Sequence, residues 1–294
     1  MKRSVFFYML RSGMGFSVAT VFFCIGLLCV FLLYKGLPTF GPNLLFGDVA
    51  PLDAILGKRP VWEGVWPALM GTLVLVGLTM ALVLLPGVGC GIFLAEYASP
   101  VWKRRVGSAI DLLAGTPSIV MGLFGFTLIL FLRKSFLPDA NTCLLLAAGC
   151  ISLLVTPVLV VNAREALEAV PSSVKIAAYG LGFTRHQVIF HISLPMATRG
   201  IISGIILGTG RAAEDTAAIM LTGAVANAGL PSGILGKFEA LPFTIYYTIA
   251  QHQTGEELAL AFGTALLLLL LAAGMVFLAK AVEVGHARYW KGAF

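Results

Sequence analysis

Charged residues are scarce in this sequence of 294 residues: they make up 12% of it, whereas 59% of the residues are hydrophobic. Globular domains are typically about 25% charged and about 45–50% apolar. A water-soluble fold would lack the polar side chains needed to cover its surface, and a disordered chain would contain far fewer apolar residues. The scarcity of charge excludes both classes and predicts an all-α, polytopic membrane protein.

Several chemical signatures are also missing. No G-x-x-x-x-G-K-[ST] sequence occurs, so we expect no cofactor on this chain, and any ATP chemistry belongs to another subunit. The five cysteines lie inside apolar segments, which favours packing over a disulfide framework. His186 and His191 have no Cys or acidic partner that would complete a zinc site. The net charge of +6 does not indicate nucleic acid, because basic residues of membrane proteins collect in cytoplasmic loops.

A bilayer-spanning helix needs about 20 apolar residues, and the sequence contains several such stretches. Those free of charge cover residues 12–34, 64–95, 112–132, 140–163 and 258–279, and a further stretch at 200–223 contains three charged residues. The first stretch could be a signal peptide. However, its apolar run exceeds the about 7–15 residues of such a peptide, and no A-x-A-like site follows. We therefore expect a retained first helix and six transmembrane helices.

The distribution of basic residues predicts the orientation. Most of the 20 Lys and Arg residues lie in segments that share one side of the membrane with both termini, and the positive-inside rule makes that side cytoplasmic. We expect an N-terminal helix and outside loop over residues 1–67, a transmembrane core over residues 68–280, and a cytoplasmic tail over residues 281–294. The longest cytoplasmic connection covers residues 164–199.

Residues 164–199 predict two short helices. The first opens at Pro171, with the following serines available to cap it. Thr184 and Gln187 have the capping-box spacing for the second, which is expected to end before Pro195. Such a segment could lie in a groove of another protein, or it could be an ordinary solvated connection.

Three charges interrupt the fifth apolar stretch. Arg211, Glu214 and Asp215 lie about 12–16 residues into it, which corresponds to roughly 18–24 Å of helix. Their spacing allows Arg211 to pair with either carboxylate. The group is either a buried salt bridge that only fixes packing, or a set of side chains that face a water-filled path.

The second alternative, a functional site, depends on the guanidinium of Arg211. Its planar fork can bind a tetrahedral oxyanion through two hydrogen bonds. A neighbouring carboxylate would repel a fully ionised anion, but it can accept the proton of monohydrogen phosphate. Thr209 and Thr216 add hydroxyl groups nearby, and Gly208 and Gly210 are expected to allow close helix approach.

The segment Gly115-Thr116-Pro117-Ser118 has two possible structural interpretations. It could be a helix kink whose freed backbone groups are satisfied by hydroxyls, or a break that exposes backbone amides to an anionic substrate.

The cytoplasmic connection resembles the EAA loop of bacterial ABC-importer permeases. The residues that match its spacing are Ala177, Ala178, Gly182, Ile192, Leu194 and Pro195. Ile176 stands where that family has Glu. The resemblance implies that the loop docks an ATPase, with shape fit at the small residues replacing an ion pair.

A second resemblance covers roughly residues 68–280. Residues 208–217 (GTGRAAEDTA) are similar to the G-x-x-R-A-x-G-E-T-A segment of phosphate-specific (Pst-type) ABC permeases, and residues 93–98, 110–125 and 165–171 resemble that family too. Leu241-Pro242 and Ile245-Tyr246 look like the A-type partner rather than the C-type. Asp215 takes the family's Glu position, and Glu214 takes its Gly position.

The resemblance implies a type I importer permease in the cell inner membrane. Its expected partners are a second homologous permease, a dimer of ATP-binding subunits and an extracytoplasmic phosphate-binding protein. Arg211 would bind phosphate, Asp215 or Glu214 would accept its proton, and Thr216 would add a hydrogen bond. The alternatives are a permease for another oxyanion, a membrane enzyme acting on lipid phosphates, and a protein that mainly signals phosphate status.

Overall fold

The computed structural model describes the backbone of residues 2–291, and their side chains except those of residues 2–10, 12, 279 and 282–291. This part of the chain contains no strand, only an isolated bridge between Ala224 and Phe238. Its helices are α1 (Lys2–Gly36), α2 (Pro42–Phe46), α3 (Pro51–Ile55), α4 (Trp66–Ile92), α5 (Pro100–Ala114), α6 (Ser118–Ser135), α7 (Leu144–Glu168), α8 (Ser172–Gly180), α9 (Arg185–Val188), α10 (Leu194–Glu214), α11 (Ala217–Thr222), α12 (Leu241–Gln251) and α13 (Gly255–Lys291).

Six helical segments within the described residues are long and apolar enough to cross a membrane, which confirms the predicted all-α, polytopic fold. They cover Gly13–Thr39, Trp66–Tyr97, Ser118–Ser135, Leu144–Glu168, Arg185–Glu214 and Gly255–Leu278. The fifth differs most from the prediction, because it begins within the cytoplasmic connection and ends at Glu214. The predicted tail, residues 281–294, continues α13 as far as Lys291, and its last three residues lie outside the described chain.

The second helix of the cytoplasmic connection does not end before Pro195, so that prediction is wrong. Proline lacks an N–H group, and in a regular helix its ring clashes with the carbonyl four residues earlier. Here the turn Ile189–Ser193 is a wider π-helix, and Pro195 lies in the first turn of α10. The helix therefore continues from α9 through the π-helical turn into α10. Local preference alone does not reveal this local widening.

The core of the bundle is α7, which packs against both α4 and α10, and these two helices also contact each other. Its buried side chains include Ile151, Val155 and Leu159. Gly87 and Gly91 of α4 lie against α7, where an added Cβ would come within 3.0 Å of α7 atoms. Between membrane helices, small residues allow such close approach and the van der Waals contact that comes with it.

The bundle has two ends. The α8 end carries α8 and residues 169–184. The opposite end carries residues 37–65, 136–143 and 223–240. Backbone hydrogen bonds join the start of α7 to the end of α11 (Cys143 N to Thr222 O, 2.9 Å) and to residues 223–240 (Leu144 N to Gly236 O, 3.0 Å). The N–H of Leu241 also donates to Thr72 Oγ1 (2.9 Å), which joins the start of α12 to α4.

Among its described side chains, helix α1 contacts the rest of the chain near its C-terminal end. Gly36 lies against Phe262 and Leu266 of α13, and Thr39 Oγ1 donates to Ala259 O (3.3 Å). The most apolar stretch of this span has no buried residue. The following residues, predicted as an outside loop, fold into α2 and α3 around a small core of Phe46, Ala54 and Val61.

Candidate functional site

Helix α10 has one face packed and one face open. Gly200, Gly204 and Gly208 lie against α7, where an added Cβ would come within 2.5–2.8 Å of α7 carbon atoms. The opposite face is exposed within this chain and carries Met196, Arg199, Ser203, Leu207, Arg211 and Glu214. The recurrence every three or four residues is that of one helix face. The predicted substrate residues Arg211 and Glu214 therefore lie on the surface of α10 that this chain does not cover.

Arg211 lies level with the middle of the bundle. Helices α7 and α10 run antiparallel. The α10 glycines face successive α7 side chains: Gly200 faces Ala166, Gly204 faces Asn162 and Gly208 faces Val155. Arg211 is three residues beyond Gly208, or about 4.5 Å along the helix axis. Because α7 runs in the opposite direction, Arg211 is level with the α7 residues that precede Val155 in the sequence, in the middle of the uncharged stretch 140–163. A charge at this depth is costly unless it faces protein or water.

The helix breaks directly after Glu214. Asp215 has an extended backbone (φ −71°, ψ 119°), and α11 begins two residues later. The Asp215 carboxylate accepts a hydrogen bond from the backbone N–H of Ala218 (Oδ1 to N, 2.8 Å), which satisfies one of the amides left free at the start of α11. Asp215 thus has a structural partner that its position in the sequence did not indicate.

The predicted pairing of Arg211 with a carboxylate is not formed. The three ion pairs among the described side chains all lie elsewhere and include neither Arg211 nor Glu214 nor Asp215. The i, i+4 rule presumes an unbroken helix, and the extended backbone at Asp215 takes its side chain out of that register. Arg211 and Glu214 are exposed and Asp215 is half-buried.

The neighbouring hydroxyl and glycine residues differ in their surroundings. Thr209 Oγ1 donates to the carbonyl of Ile205 in its own helix (2.8 Å), and Thr216 is half-buried at the break. Gly208 makes the close helix contact predicted for it. An added Cβ at Gly210 would meet no heavy atom within 4 Å among the described residues, so Gly210 makes no such contact with them and its role stays a prediction.

A second break separates α5 from α6 at residues 115–117. The helix is broken here, and Thr116 Oγ1 donates to the carbonyl of Leu112 (3.0 Å), so a hydroxyl satisfies a freed backbone group. That the break exposes backbone amides to an anionic substrate stays a prediction. Helix α6 then packs parallel to α11, with Gly122 against Ala218 and Gly125 against Thr222. The beginnings of α6 and α11 therefore lie side by side.

The EAA-like loop folds largely as its local signals predict. Helix α8 ends before Gly182, whose φ of +86° favours glycine. Thr184 and Gln187 form the predicted capping box, with Thr184 N donating to Gln187 Oε1 (2.8 Å). The predicted serine cap of α8 is not formed, because Pro171 occupies the N-cap position.

The loop is fastened to the π-helical turn Phe93–Tyr97, which directly follows α4. Lys175 Nζ donates to Glu96 Oε1 (2.6 Å), and both side chains are largely buried. Arg185 donates to the Glu96 carbonyl and lies 4.8 Å from the centre of the Tyr97 ring. Sequence reasoning noted residues 93–98 only as part of a resemblance. The role of Glu96 as an anchor depends on a contact between residues 79 positions apart, which no local pattern reveals.

The predicted docking residues do not share one environment. Ala177 and Gly182 are exposed, whereas Ala178 is buried (4% exposed) and holds α8 against the chain. Ile192, Leu194 and Pro195 are half-buried in the continuous helix. Large apolar side chains that the prediction did not include are exposed beside them, namely Ile176 (67%), Tyr179 (46%) and Leu181 (79%).

Comparison with known proteins identifies the family of this chain. Residues 87–284 match the family described as "Binding-protein-dependent transport system inner membrane component". The chain belongs to this family. It is 30% identical over 224 residues to a probable phosphate transport system permease protein PstA of Methanocaldococcus jannaschii, covering 76% of this chain and 75% of the relative. It is 31% identical over 214 residues to phosphate transport system permease protein PstA 1 of Mycobacterium tuberculosis, covering 71% and 67%.

A solved structure confirms the fold of this importer permease. A chain of the methionine ABC transporter MetNI, in an inward-facing conformation, superposes with a TM-score of 0.57 at 17% identity. The superposition covers 81% of this chain and 99% of the other. The predicted type I importer-permease fold is thereby confirmed.

One acidic residue outside the predicted site is buried, unlike those within it. Glu239, in the connection before α12, is 8% exposed and accepts a hydrogen bond from Gly229 N (2.8 Å). Burial raises the pKa of this carboxyl, although hydrogen bonds from the Gly229 and Ala228 backbone oppose the shift. Among the described side chains, no three His, Cys, Asp or Glu residues come together as a metal site would require.

Proposed function

We propose that this permease is the A-type subunit of an ATP-driven importer of inorganic phosphate and forms half of the translocation path. The names of the relatives support phosphate and the A-type. The observation that carries the proposal is the position of Arg211: an always-charged guanidinium, level with the middle of the span, on a helix face that the chain leaves open. A buried salt bridge would serve packing, but Arg211 makes none among the described residues.

The substrate roles follow from the chemistry of the exposed face. Arg211 binds phosphate through its fork of donors. Glu214, exposed one turn further on the same helix, accepts the remaining proton of monohydrogen phosphate. Asp215 can share that role through its second oxygen, since Oδ1 already accepts from Ala218 N. Thr216 adds a hydrogen bond.

The α8 end faces the cytoplasm in this proposal, as do both termini, and the protein lies in the cell inner membrane. Its basic residues accord with the positive-inside rule. Ala177 and Gly182, together with the exposed apolar side chains of Ile176, Tyr179 and Leu181, present the docking surface for an ATP-binding subunit. The Glu96–Lys175 ion pair links the docking surface to the end of α4, so that movement of the docked subunit is transmitted to that helix.

The remaining partners complete the transporter. A second, homologous permease covers the open face of α10, so that the path runs between the two chains. Two ATP-binding subunits hold ATP–Mg and perform the hydrolysis, and this chain itself is not an enzyme. A phosphate-binding protein delivers the substrate at the opposite end.

The test is phosphate uptake into liposomes that contain the whole reconstituted complex. Each hydrogen bond to a charged group is worth about 1.5–3 kcal/mol, so Arg211→Gln should lower uptake by about tenfold to 100-fold. Arg104→Gln, at an exposed arginine of α5, is the matched control and should transport normally. Competition by sulfate or molybdate as strong as that by phosphate would indicate another oxyanion, and normal uptake by Arg211→Gln would refute the site.

A further inference from the structure

A cavity of about 870 Å³ lies between α6 and α7, towards the opposite end of the bundle. Its walls are almost wholly apolar: Phe124, Leu128 and Leu132 on α6, and Leu146, Gly149 and Leu153 on α7. Residues Asp139, Ala140 and Asn141 of the loop between the two helices line its polar mouth. We call this space the side cavity. Its volume is in the range of about 300–1,000 Å³ typical of pockets that bury a small ligand.

The side cavity opens on the flank of the bundle. Phe124 (52%), Leu128 (37%) and Leu153 (38%) line it and remain exposed. For a helix bundle that spans a membrane, the medium at this flank is lipid hydrocarbon, and the mouth at residues 139–141 lies where the lipid headgroups begin. An amphiphile with its polar end at the mouth therefore has the right orientation to fill the cavity.

Charges of both signs lie at the mouth, and the positive one is held in place. Arg133 donates from Nε to the Ala140 carbonyl (3.0 Å) and from Nη2 to Asn141 Oδ1 (2.6 Å), so its guanidinium is held against two residues of the rim. A guanidinium has five N–H donors, and those not used here remain for an anionic oxygen. Asp139 forms no ion pair within the part of the chain that the structure describes.

We propose that the side cavity binds phosphatidylethanolamine, with an acyl chain between α6 and α7, the phosphate on Arg133 and the primary ammonium on Asp139. An arginine and a carboxylate at the same mouth match a zwitterionic headgroup better than an acidic one, which Asp139 would repel. Phosphatidylcholine lacks N–H donors for the carboxylate. This site is separate from the exposed face of α10 and does not depend on which oxyanion is transported.

The first test fills the cavity. Gly149 lines the cavity and an added Cβ there meets no heavy atom within 4 Å, so the ring of Gly149→Phe can enter the cavity. Gly77→Phe on α4 is the matched control, because Gly77 also has open space but does not line the cavity. We expect lipid mass spectrometry of the detergent-purified complex to find phosphatidylethanolamine retained by wild type and Gly77→Phe, and at least fivefold less with Gly149→Phe. Equal retention in all three would overturn the proposal.

The second test addresses the headgroup. Delipidated complex is offered phosphatidylethanolamine, phosphatidylcholine or phosphatidylglycerol in nanodiscs and analysed by native mass spectrometry. Wild type should retain the first lipid preferentially, and Asp139→Asn should lose that preference while still binding lipid. Equal retention of the three by wild type contradicts the headgroup assignment. Crosslinking of Gly149→Cys to a partner subunit in place of lipid would show instead that a protein segment occupies the cavity.

Discussion

The contact between α10 and α7 can be tested by making one substitution at two positions of the same helix. In Gly204→Ala the added Cβ would lie 2.6 Å from the Asn162 Cβ, whereas in Gly210→Ala it meets no heavy atom within 4 Å. Carbon atoms prefer a separation of about 3.5–4.0 Å, so the first methyl group overlaps α7 by about 1 Å. Alanine improves helix propensity by about 1 kcal/mol at either position, and this gain cancels in the comparison.

The expected difference between the two variants is the cost of overpacking, about 1–3 kcal/mol. For a chain of this size each kcal/mol shifts the thermal midpoint by about 2–4 °C. Gly210→Ala should therefore unfold at or above the wild-type temperature, and Gly204→Ala below that of Gly210→Ala, when the purified complex is heated in detergent. Phosphate uptake should also fall in Gly204→Ala, because the helix that carries Arg211 is displaced. Equal midpoints for the two variants would refute the proposed packing.

Two further predictions concern charges that the bundle holds in place. Glu96→Gln leaves the largely buried Lys175 ammonium without its carboxylate partner, which should cost about 1.5–3 kcal/mol of stability. We expect faster protease cleavage within residues 172–184 and weaker ATP-driven uptake. Glu165→Gln, at an exposed position, is the control, and unchanged cleavage in Glu96→Gln would contradict the anchoring role of Glu96. For Glu239 the pKa is raised on folding, so its stabilising contribution is fully present below the unfolded pKa of about 4.3 and is lost as pH rises through the folded value. Glu239→Gln should therefore gain thermal midpoint relative to wild type between pH 4 and pH 8, and parallel curves for the two proteins would count against a buried carboxylate.

The predictions that succeed from sequence depend on local signals. Hydropathy alone locates the spanning helices, because each must bury about 20 apolar residues in hydrocarbon whatever surrounds it. The capping box at Thr184 forms because its donor and acceptor are three residues apart.

The predictions that fail depend on distant contacts. The helix continues through Pro195 because a π-helical turn precedes it. Arg211 does not pair with Asp215, because the break before α11 turns that carboxylate towards the Ala218 amide. Both expectations assumed regular α-helix, and a helix departs from regularity only where neighbouring elements stabilise the departure.

The sequence by itself therefore determined the class of protein, the number of spans and the presence of an arginine deep in the fifth. It did so because bilayer insertion and helix capping act on contiguous residues. Only the tertiary structure decided which face of α10 is open, where that helix breaks, how Glu96 fastens the α8 loop, and that a cavity separates α6 from α7. Those features follow from the register of glycines against α7 and from hydrogen bonds across the chain, which depend on three-dimensional proximity rather than on neighbours in sequence.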